Sequence, residues 1–286
     1  MAAPSASSAP VPPSVPPVAT FPPVQPPAKA ARVRNRALLR NFFLRELKNR
    51  YLGSMTGFAW ALLHPLALLG VYWFVFTKVF RAGGFGGASF LTFVAVALWP
   101  WLAAQEALQR GTVSLAGYAA LIRKVAFPHE LVVYASVAAT LALHLAGYIA
   151  VLVVLALFGQ PVHFEGLLLA LPLWALLAIG VTGLTLFFAA LQVFIRDVEH
   201  VLMPLLMIIM YLTPILYPLT AVPEEVRPYV AANPFGYLVG RLRAALLDGQ
   251  LSIGVGDLAA AVVVVALFLG GRWVFRRLSP TFEDFL

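Results

Sequence analysis

The chain has 286 residues, of which 61% are hydrophobic and 11% are charged, and its formal net charge at pH 7 is +8. With a mean hydropathy of +0.88, this composition excludes a soluble domain of any size and indicates a membrane protein. The chain contains no cysteine, which excludes structural disulfides and thiolate metal sites. We expect no metal and no cofactor on the chain itself.

The N-terminal segment differs from the rest of the chain in composition. Residues 1–31 contain ten of the 22 prolines and no charged residue before Lys29. They lack the apolar core of a signal peptide. We therefore predict a disordered, extended tail over residues 1–31 and a transmembrane domain over residues 32–286.

Residues 34–51 have the pattern of an amphipathic helix. Leu39, Phe42, Phe43 and Leu47 recur at helical spacing, and basic residues such as Arg40 lie away from this stripe. An apolar face opposite a positively charged face is typical of a helix that lies in the plane of the lipid headgroups. The alternative is an ordinary amphipathic helix packed on the protein.

Six apolar stretches have the length of about 20 residues that a transmembrane helix needs. They lie at residues 57–79, 89–108, 131–158, 167–195, 201–219 and 255–275. Unbroken apolar runs such as residues 259–269 oppose the alternating pattern of a barrel strand. We predict an all-α integral membrane protein with six transmembrane helices.

Basic residues are distributed unevenly between the two sides of this topology. Fifteen of the 20 Lys and Arg residues fall on the side that holds both termini, which predicts that both termini are cytoplasmic. Such residues also attract the anionic headgroups of membrane lipids. Nucleic-acid binding is not favoured, because the basic residues are spread over separate loops.

The connection between the last two predicted spans contains a further helical pattern. Asn233 and Pro234 form a helix start, an apolar stripe follows over residues 235–246, and Gly249 marks the stop. We predict a second amphipathic helix on the outer side of the membrane, lying in the interface. Arg241 and Arg243 would extend their charged groups to water or phosphates.

The predicted spans carry few ionisable groups. Glu106 and Arg110 are four residues apart and indicate a local pair, while His64 and His144 are expected to pack between helices. No lysine follows a glycine, so the phosphate-binding loop of an ATPase is missing, and the sequence has neither HExxH nor GxSxG. We expect no enzymatic activity, and the energy for transport would come from another protein.

Aromatic residues are abundant in three of the predicted spans. They are candidates for the lining of a channel, since aromatic faces stack on sugar rings, although some are expected to anchor the protein at the interface. The candidate lining residues are Trp60, Tyr72, Trp73, Phe93, Trp99, Trp101, Tyr211 and Tyr217.

Five segments together resemble the permease subunits of polysaccharide-exporting ABC transporters of the ABC-2 type. They are FLRELKNRYLGSMTGFAWALLHP (43–65), LIRKVAFPHE (121–130), FIRDVEHVL (194–202), YLTPILYPL (211–219) and NPFGYLVGRLRAALLDG (233–249). They occur in the order that the family has. Two features depart from the family pattern: Thr213 replaces an expected serine, and the proline-rich tail has no counterpart.

The resemblance implies a homodimer with a channel between its subunits, driven by two copies of a separate ATPase that binds ATP and Mg²⁺. The cargo would be a lipid-linked polysaccharide, such as O-antigen, capsule or teichoic acid. Residues 121–130 would couple to the ATPase, with Ile122, Val125 and Phe127 as an apolar contact and Arg123 and Lys124 meeting carboxylates. The implied coupling residues are Leu121, Ile122, Arg123, Lys124, Phe127, Pro128, His129 and Glu130. The implied residues of the interfacial helix are Arg40, Phe43, Glu46 and Arg50.

Two alternatives remain open at this point. The first is an ABC-2 permease that exports a lipid or a drug. The second, from another class, is an intramembrane glycosyltransferase, which would transfer sugar in detergent without any partner.

Overall fold

The computed structural model describes residues 28–51, 57–79 and 89–286, which contain helices and no strands. The predicted disordered tail lies almost entirely outside these residues; its last four residues, 28–31, already belong to the first helix. The helices are α1 Ala28–Tyr51, α2 Gly57–Trp73 with a π-helical end Phe74–Val79, α3 Phe90–Val113, α4 Ala119–Ile122, α5 Glu130–Leu157, α6 Leu167–Phe194, α7 Val198–Leu212, α8 Arg227–Ala231, α9 Pro234–Leu246, α10 Val255–Leu278 and α11 Phe282–Phe285.

Among the described residues, four helical segments are long and apolar enough to cross a membrane. They are Phe90–Val113, Glu130–Leu157, Phe164–Phe194 and Val255–Phe285. Two shorter apolar helices, Leu66–Val79 and Val198–Leu212, correspond to the first and fifth predicted spans. The structure thus confirms that the described residues form an all-helical fold with four candidate spans, and six spans stay a prediction.

The fifth predicted span ends earlier than the sequence suggested. Helix α7 stops at Leu212, and Thr213 adopts an extended conformation before Pro214. A residue before proline is pushed out of the helical region, because the proline ring clashes with it. The 15 residues of α7 are about 22 Å long at 1.5 Å per residue, short of the hydrocarbon thickness of about 30 Å.

Helix α3 forms the centre of the bundle. It packs against α5, α6 and α9, and 78% of its most apolar window is buried. Two buried polar side chains join α3 and α5: Trp99 Nε1 donates to the carbonyl of His144 at 2.9 Å, and the Tyr148 hydroxyl donates to the carbonyl of Val96 at 3.0 Å. These bonds fix the register of α3 against α5.

Helices α6 and α10 make the most extensive contact in the bundle. Their backbones meet at Gly183 and Gly271, where a Cβ atom on either glycine would overlap the backbone of the other helix. Small residues at this crossing allow the close approach that holds helices together in lipid.

The bundle has two chemically different ends. We call one the basic end; it carries α1, residues 114–130 and the chain after Arg272. The other, here the opposite end, carries residues 158–166 and 213–254, including α8 and α9. At the opposite end the two connections are tied together, since His163 N donates to the carbonyl of Leu246 at 2.8 Å.

Candidate functional site

The segment from Leu121 to Glu130 lies at the basic end, between α4 and α5. Leu121 and His129 are partly buried, and Glu130 is buried at the start of α5. Five residues of this segment are exposed: Arg123, Lys124, Val125, Ala126 and Pro128. These five could contact a partner protein.

The expected apolar contact of this segment needs correction. Ile122 and Phe127 are buried inside the subunit, and only Val125, at 47% exposure, is available of the three apolar residues. The Phe127 ring lies 5.7 Å from the ring of Phe42 in α1 and 5.3 Å from that of His129. Phe127 therefore holds the loop against α1 instead of reaching a partner.

The C-terminal segment closes the same end of the bundle. Phe282 is fully buried and packs against Phe275, with ring centroids 5.2 Å apart, while the His129 ring stacks on it at 6.1 Å. Burial lowers the pKa of His129 below its usual value. The imidazole is accordingly neutral at pH 7 and acts as a packing group.

Helix α1 uses its apolar stripe to pack on the protein. Its half-buried face contacts α5, with Phe43 partly buried and Arg40 exposed. Glu46 accepts a hydrogen bond from the Tyr118 hydroxyl at 3.2 Å, and burial raises the pKa of Tyr118 to about 12. The stripe that indicated membrane contact is thus at least partly a contact with the bundle.

The last turn of α1 enters a polar cluster that sequence spacing did not predict. Glu106 of α3 lies 3.3 Å from Arg50, 2.6 Å from Arg110 and 2.7 Å from His144 of α5. Arg50 also donates to the Thr140 hydroxyl. The predicted local pair of Glu106 and Arg110 is real, but it is one part of a cluster that joins α1, α3 and α5.

Three of the candidate lining residues are buried inside the single subunit, which corrects their assignment. Phe93, Trp99 and Trp101 all lie on α3 and are at most 8% exposed. Trp101 packs edge-on against Phe235 of α9 at 4.9 Å. They fill the core because α3 is surrounded by other helices.

The other described candidates lie on α2, on α7 and shortly after the end of α7. Trp73 and Tyr211 are exposed, Tyr72 and Tyr217 are partly buried, and Tyr72 lies beside Tyr211. The Tyr217 hydroxyl donates to the Tyr211 carbonyl at 2.8 Å. The side chain of Trp60 lies outside the described residues. Exposed aromatic rings thus converge where α2 and α7 approach each other.

Helix α9 begins and ends where the sequence predicted. Asn233 caps it by accepting a hydrogen bond from Phe235 N at 3.0 Å, and Gly249 follows with a positive φ of 66°. Its apolar stripe, including Leu238 and Leu242, is buried against α3 and α6. The stripe therefore faces the protein, and a position in the membrane interface is not confirmed.

The two arginines of α9 behave differently from the expectation. Arg241 pairs with Asp257 of α10 at 2.8 Å. Arg243 is 8% exposed and donates hydrogen bonds to the carbonyls of Phe93, at 3.0 Å, Pro214, at 2.6 Å, and Ile215. The expectation that Arg243 extends to water or phosphates is wrong, because its guanidinium is buried and these carbonyls accept its hydrogen bonds.

These features define an all-helical membrane subunit with a tightly packed centre and, on α2 and α7, an exposed apolar surface that bears tyrosines. The family model of the ABC-2 type transporter matches residues 38–247. The chain belongs to this family of membrane transport proteins.

Similar proteins of known function cover nearly the whole chain. The O-antigen export system permease protein RfbA of Myxococcus xanthus is 29% identical over 252 residues, which span 87% of this chain and 95% of the relative. RfbA of Klebsiella pneumoniae is 27% identical, over 85% and 92% of the two chains. The polysialic acid transport protein KpsM of Escherichia coli is 25% identical, over 80% and 88%.

Proposed function

We propose that this chain is the permease subunit of an ABC transporter that exports a lipid-linked cell-surface polysaccharide, most closely O-antigen. The similarity to O-antigen permeases over almost their full length carries the proposal. The KpsM similarity supports a polysaccharide cargo independently, since that relative transports a capsule polymer. The fold adds the architecture that such a subunit needs.

The proposed working unit is a homodimer with the channel between the two copies. Helix α7 presents an apolar surface that no described part of the chain covers, with Met203, Met207 and Ile208 each more than half exposed. Tyr211 continues this surface to the opposite end. A second copy placed against α2 and α7 would enclose the exposed tyrosines, and their rings would stack on sugars as a polymer slides.

The energy would come from a separate ATPase that binds at the basic end. The sequence lacks a phosphate-binding loop, so ATP and Mg²⁺ would bind to the partner alone. Arg123, Lys124 and Val125 belong to the exposed part of the loop before α5 and would contact that partner. Two basic residues followed by an exposed apolar residue suit a contact with carboxylates beside an apolar pocket.

The basic end would face the cytoplasm of a bacterial cell, with both termini on that side of the inner membrane and α1 along the headgroups. A cysteine-labelling experiment tests this orientation, because the natural chain has no cysteine. Ser279→Cys should react only from the cytoplasm and Tyr229→Cys, at an exposed position of α8, only from the outside. The reverse pattern would contradict the orientation.

Reconstitution tests the transport function. The chain is co-expressed with its partner ATPase, purified as a complex, and placed in liposomes that contain either a lipid-linked polysaccharide, a short-chain fluorescent lipid or a drug. We expect polysaccharide alone to be moved and to stimulate ATP hydrolysis. Export of the lipid or drug would favour the alternative permease function, and sugar transfer by the chain alone in detergent would indicate a glycosyltransferase.

A matched pair of variants ties the activity to the α2–α7 surface. Tyr211→Ala removes an exposed ring from this surface, whereas Trp273→Ala removes an exposed ring from α10. We expect the first variant to slow polymer export and the second to leave it unchanged. Equal export by both variants would contradict the assigned channel surface.

A further inference from the structure

A groove runs along the surface of the bundle between α5 and α6, on a side formed by helices other than α2 and α7. Its volume is about 370 Å³. Small side chains make the depression: Ala138 and Ala142 on α5, and Ala178 and Thr182 on α6. The lining is almost entirely apolar, as expected for a surface that faces lipid chains.

The length of the groove matches the thickness of one leaflet of the bilayer. On α5 it extends from Tyr134 to Leu145, which is about 16 Å at a rise of 1.5 Å per residue. That is close to half of the hydrocarbon thickness of about 30 Å. Trp174 closes the far end, where its buried ring stacks on Tyr148 at 5.2 Å.

The other end of the groove, at Tyr134, has a positive charge. The Tyr134 hydroxyl donates to Glu130 Oε2 at 2.9 Å, and Arg272 of α10 reaches the same oxygen at 3.3 Å. Arg276 pairs with the second oxygen of Glu130. Two guanidinium groups against one carboxylate leave a net charge of about +1 at this point.

Arg272 and Arg276 both have hydrogen-bond donors that Glu130 does not use. Their side chains are 35% and 59% exposed, for Arg272 and Arg276 respectively, while that of Glu130 is 9% exposed. Each guanidinium meets Glu130 through Nε, and its terminal NH₂ groups bind no atom of the described residues. A phosphate oxygen is the acceptor that such a planar, charged donor set fits best.

We propose that this groove binds one acyl chain of an anionic phospholipid and that Arg272 and Arg276 hold its phosphate. The chain would lie between the small side chains, and the headgroup would sit at the basic end. Anionic phospholipids are concentrated in the cytoplasmic leaflet, which is the leaflet that the proposed orientation places at this end.

The length of the groove identifies a phospholipid as the occupant in preference to a polyprenyl carrier. A polyprenyl chain long enough to carry a polysaccharide exceeds one leaflet, whereas the groove is closed at Trp174 after half the membrane. The groove also lies away from the exposed tyrosines of α7, which form the proposed path of the cargo. The proposal therefore stands whether or not the chain exports a polysaccharide.

Quenching of Trp174 by brominated lipids tests the proposal. The full chain is reconstituted in phosphatidylcholine nanodiscs that contain a fixed minor fraction of either brominated phosphatidylglycerol or brominated phosphatidylcholine. The contribution of Trp174 is the difference in fluorescence between the wild type and Trp174→Phe. We expect phosphatidylglycerol to bind about fivefold more strongly than phosphatidylcholine, because one net positive charge faces the headgroup.

Paired variants separate the charge from the groove. Arg272→Gln with Arg276→Gln should abolish the preference for phosphatidylglycerol, whereas Arg277→Gln, an exposed neighbour that does not contact Glu130, should keep it. Ala142→Leu should fill the groove and reduce quenching by both lipids. Its control, Ala266→Leu, adds the same volume to an exposed position of α10 and should change nothing.

Three results would overturn the proposal. They are equal quenching by the two lipids in the wild type, an unchanged preference in the double arginine variant, and displacement of phosphatidylglycerol by a smaller amount of polyprenyl phosphate. Circular dichroism verifies that each variant is folded. If the double variant is not, Arg276→Gln alone serves the same purpose, and it should reduce the preference without removing it.

Discussion

Arginine has opposite environments at the two ends of the bundle. At the opposite end, Arg243 is buried and donates to backbone carbonyls from α3 and from the turn at Pro214 and Ile215. Its guanidinium also lies over the Phe93 ring, 3.5 Å from the centroid. At the basic end, Arg272 and Arg276 share one carboxylate and remain largely exposed.

The difference shows that burial, and not residue type, decides what an arginine contributes. Arg243 replaces water as the donor to carbonyls that the break after α7 leaves without helical partners, so it links α3, α9 and this turn. Exposed arginines pair with carboxylates in high dielectric, where a pair contributes little. Loss of the exposed Arg276 should therefore cost little stability, and loss of the buried Arg243 should cost much more.

The largest expected effect is that of Arg243→Ala. The change leaves the carbonyls of Pro214 and Ile215 without this donor, each at a cost of about 1–3 kcal/mol, so the variant should lose on the order of 4 kcal/mol of stability. The measurement is the thermal unfolding of the purified chain in detergent. Arg276→Ala, at a position whose side chain is 59% exposed, serves as the control and should lose much less; equal losses would contradict the comparison.

Phe127→Ala tests whether burial matters equally at the basic end. The ring is buried between Phe42 of α1 and His129, so its removal should cost about 3 kcal/mol. Val125→Ala, two residues away and exposed, should keep full stability but weaken stimulation of ATP hydrolysis by the partner. A stable Phe127→Ala variant that fails only in stimulation would restore Phe127 as a partner contact.

Arg276→Ala should have a small effect on stability, because 59% of its side chain is exposed. Exposed pairs contribute about 0.2–1 kcal/mol, and Arg272 still pairs with Glu130 in the variant. Thermal unfolding in lipid-free detergent measures this directly. A loss similar to that of Arg243→Ala would mean that the position in the bundle does not determine the contribution of an arginine.

The smallest expected effect is a dependence of protein stability on pH that arises at the basic end. Burial lowers the pKa of His129, so the unfolded chain gains a proton more readily than the folded chain as the pH falls below about 6.5. Stability should be constant above that pH and decrease below it. The decrease should be smaller in His129→Gln, and an identical pH profile for both proteins would contradict the assigned protonation.

The sequence predicted the positions of the helices much better than the contacts that each helix makes with the others. Apolar runs and the Asn233 cap gave α3, α5, α6, α9 and α10 within a few residues, because these signals are local. Which face of each helix is buried depends on residues far apart in the chain. For that reason, the burial of Trp99 and the contact of His144 with Glu106 had no signal in residue spacing.

Two errors have identifiable causes. Arg243 was expected to extend to water or phosphates by snorkelling, but the carbonyls that bind it lie on α3 and on the turn at Pro214, far from α9 in the sequence. Phe127 was expected at a protein interface because the family resemblance implied that its loop couples to the ATPase. The neighbouring charged residues are indeed exposed, while the phenyl ring turns inward to Phe42.

The glycine contact between α6 and α10 has a mechanical consequence. Because their backbones are in contact at Gly183 and Gly271, the two helices form one closely packed pair about 36 Å long, the length of the 24 residues of α10. One end of this pair contacts His129 through Phe282, and the other end contacts Arg241 of α9 through Asp257. A movement of the loop before α5 would thereby reach α9 at the opposite end of the bundle through these contacts.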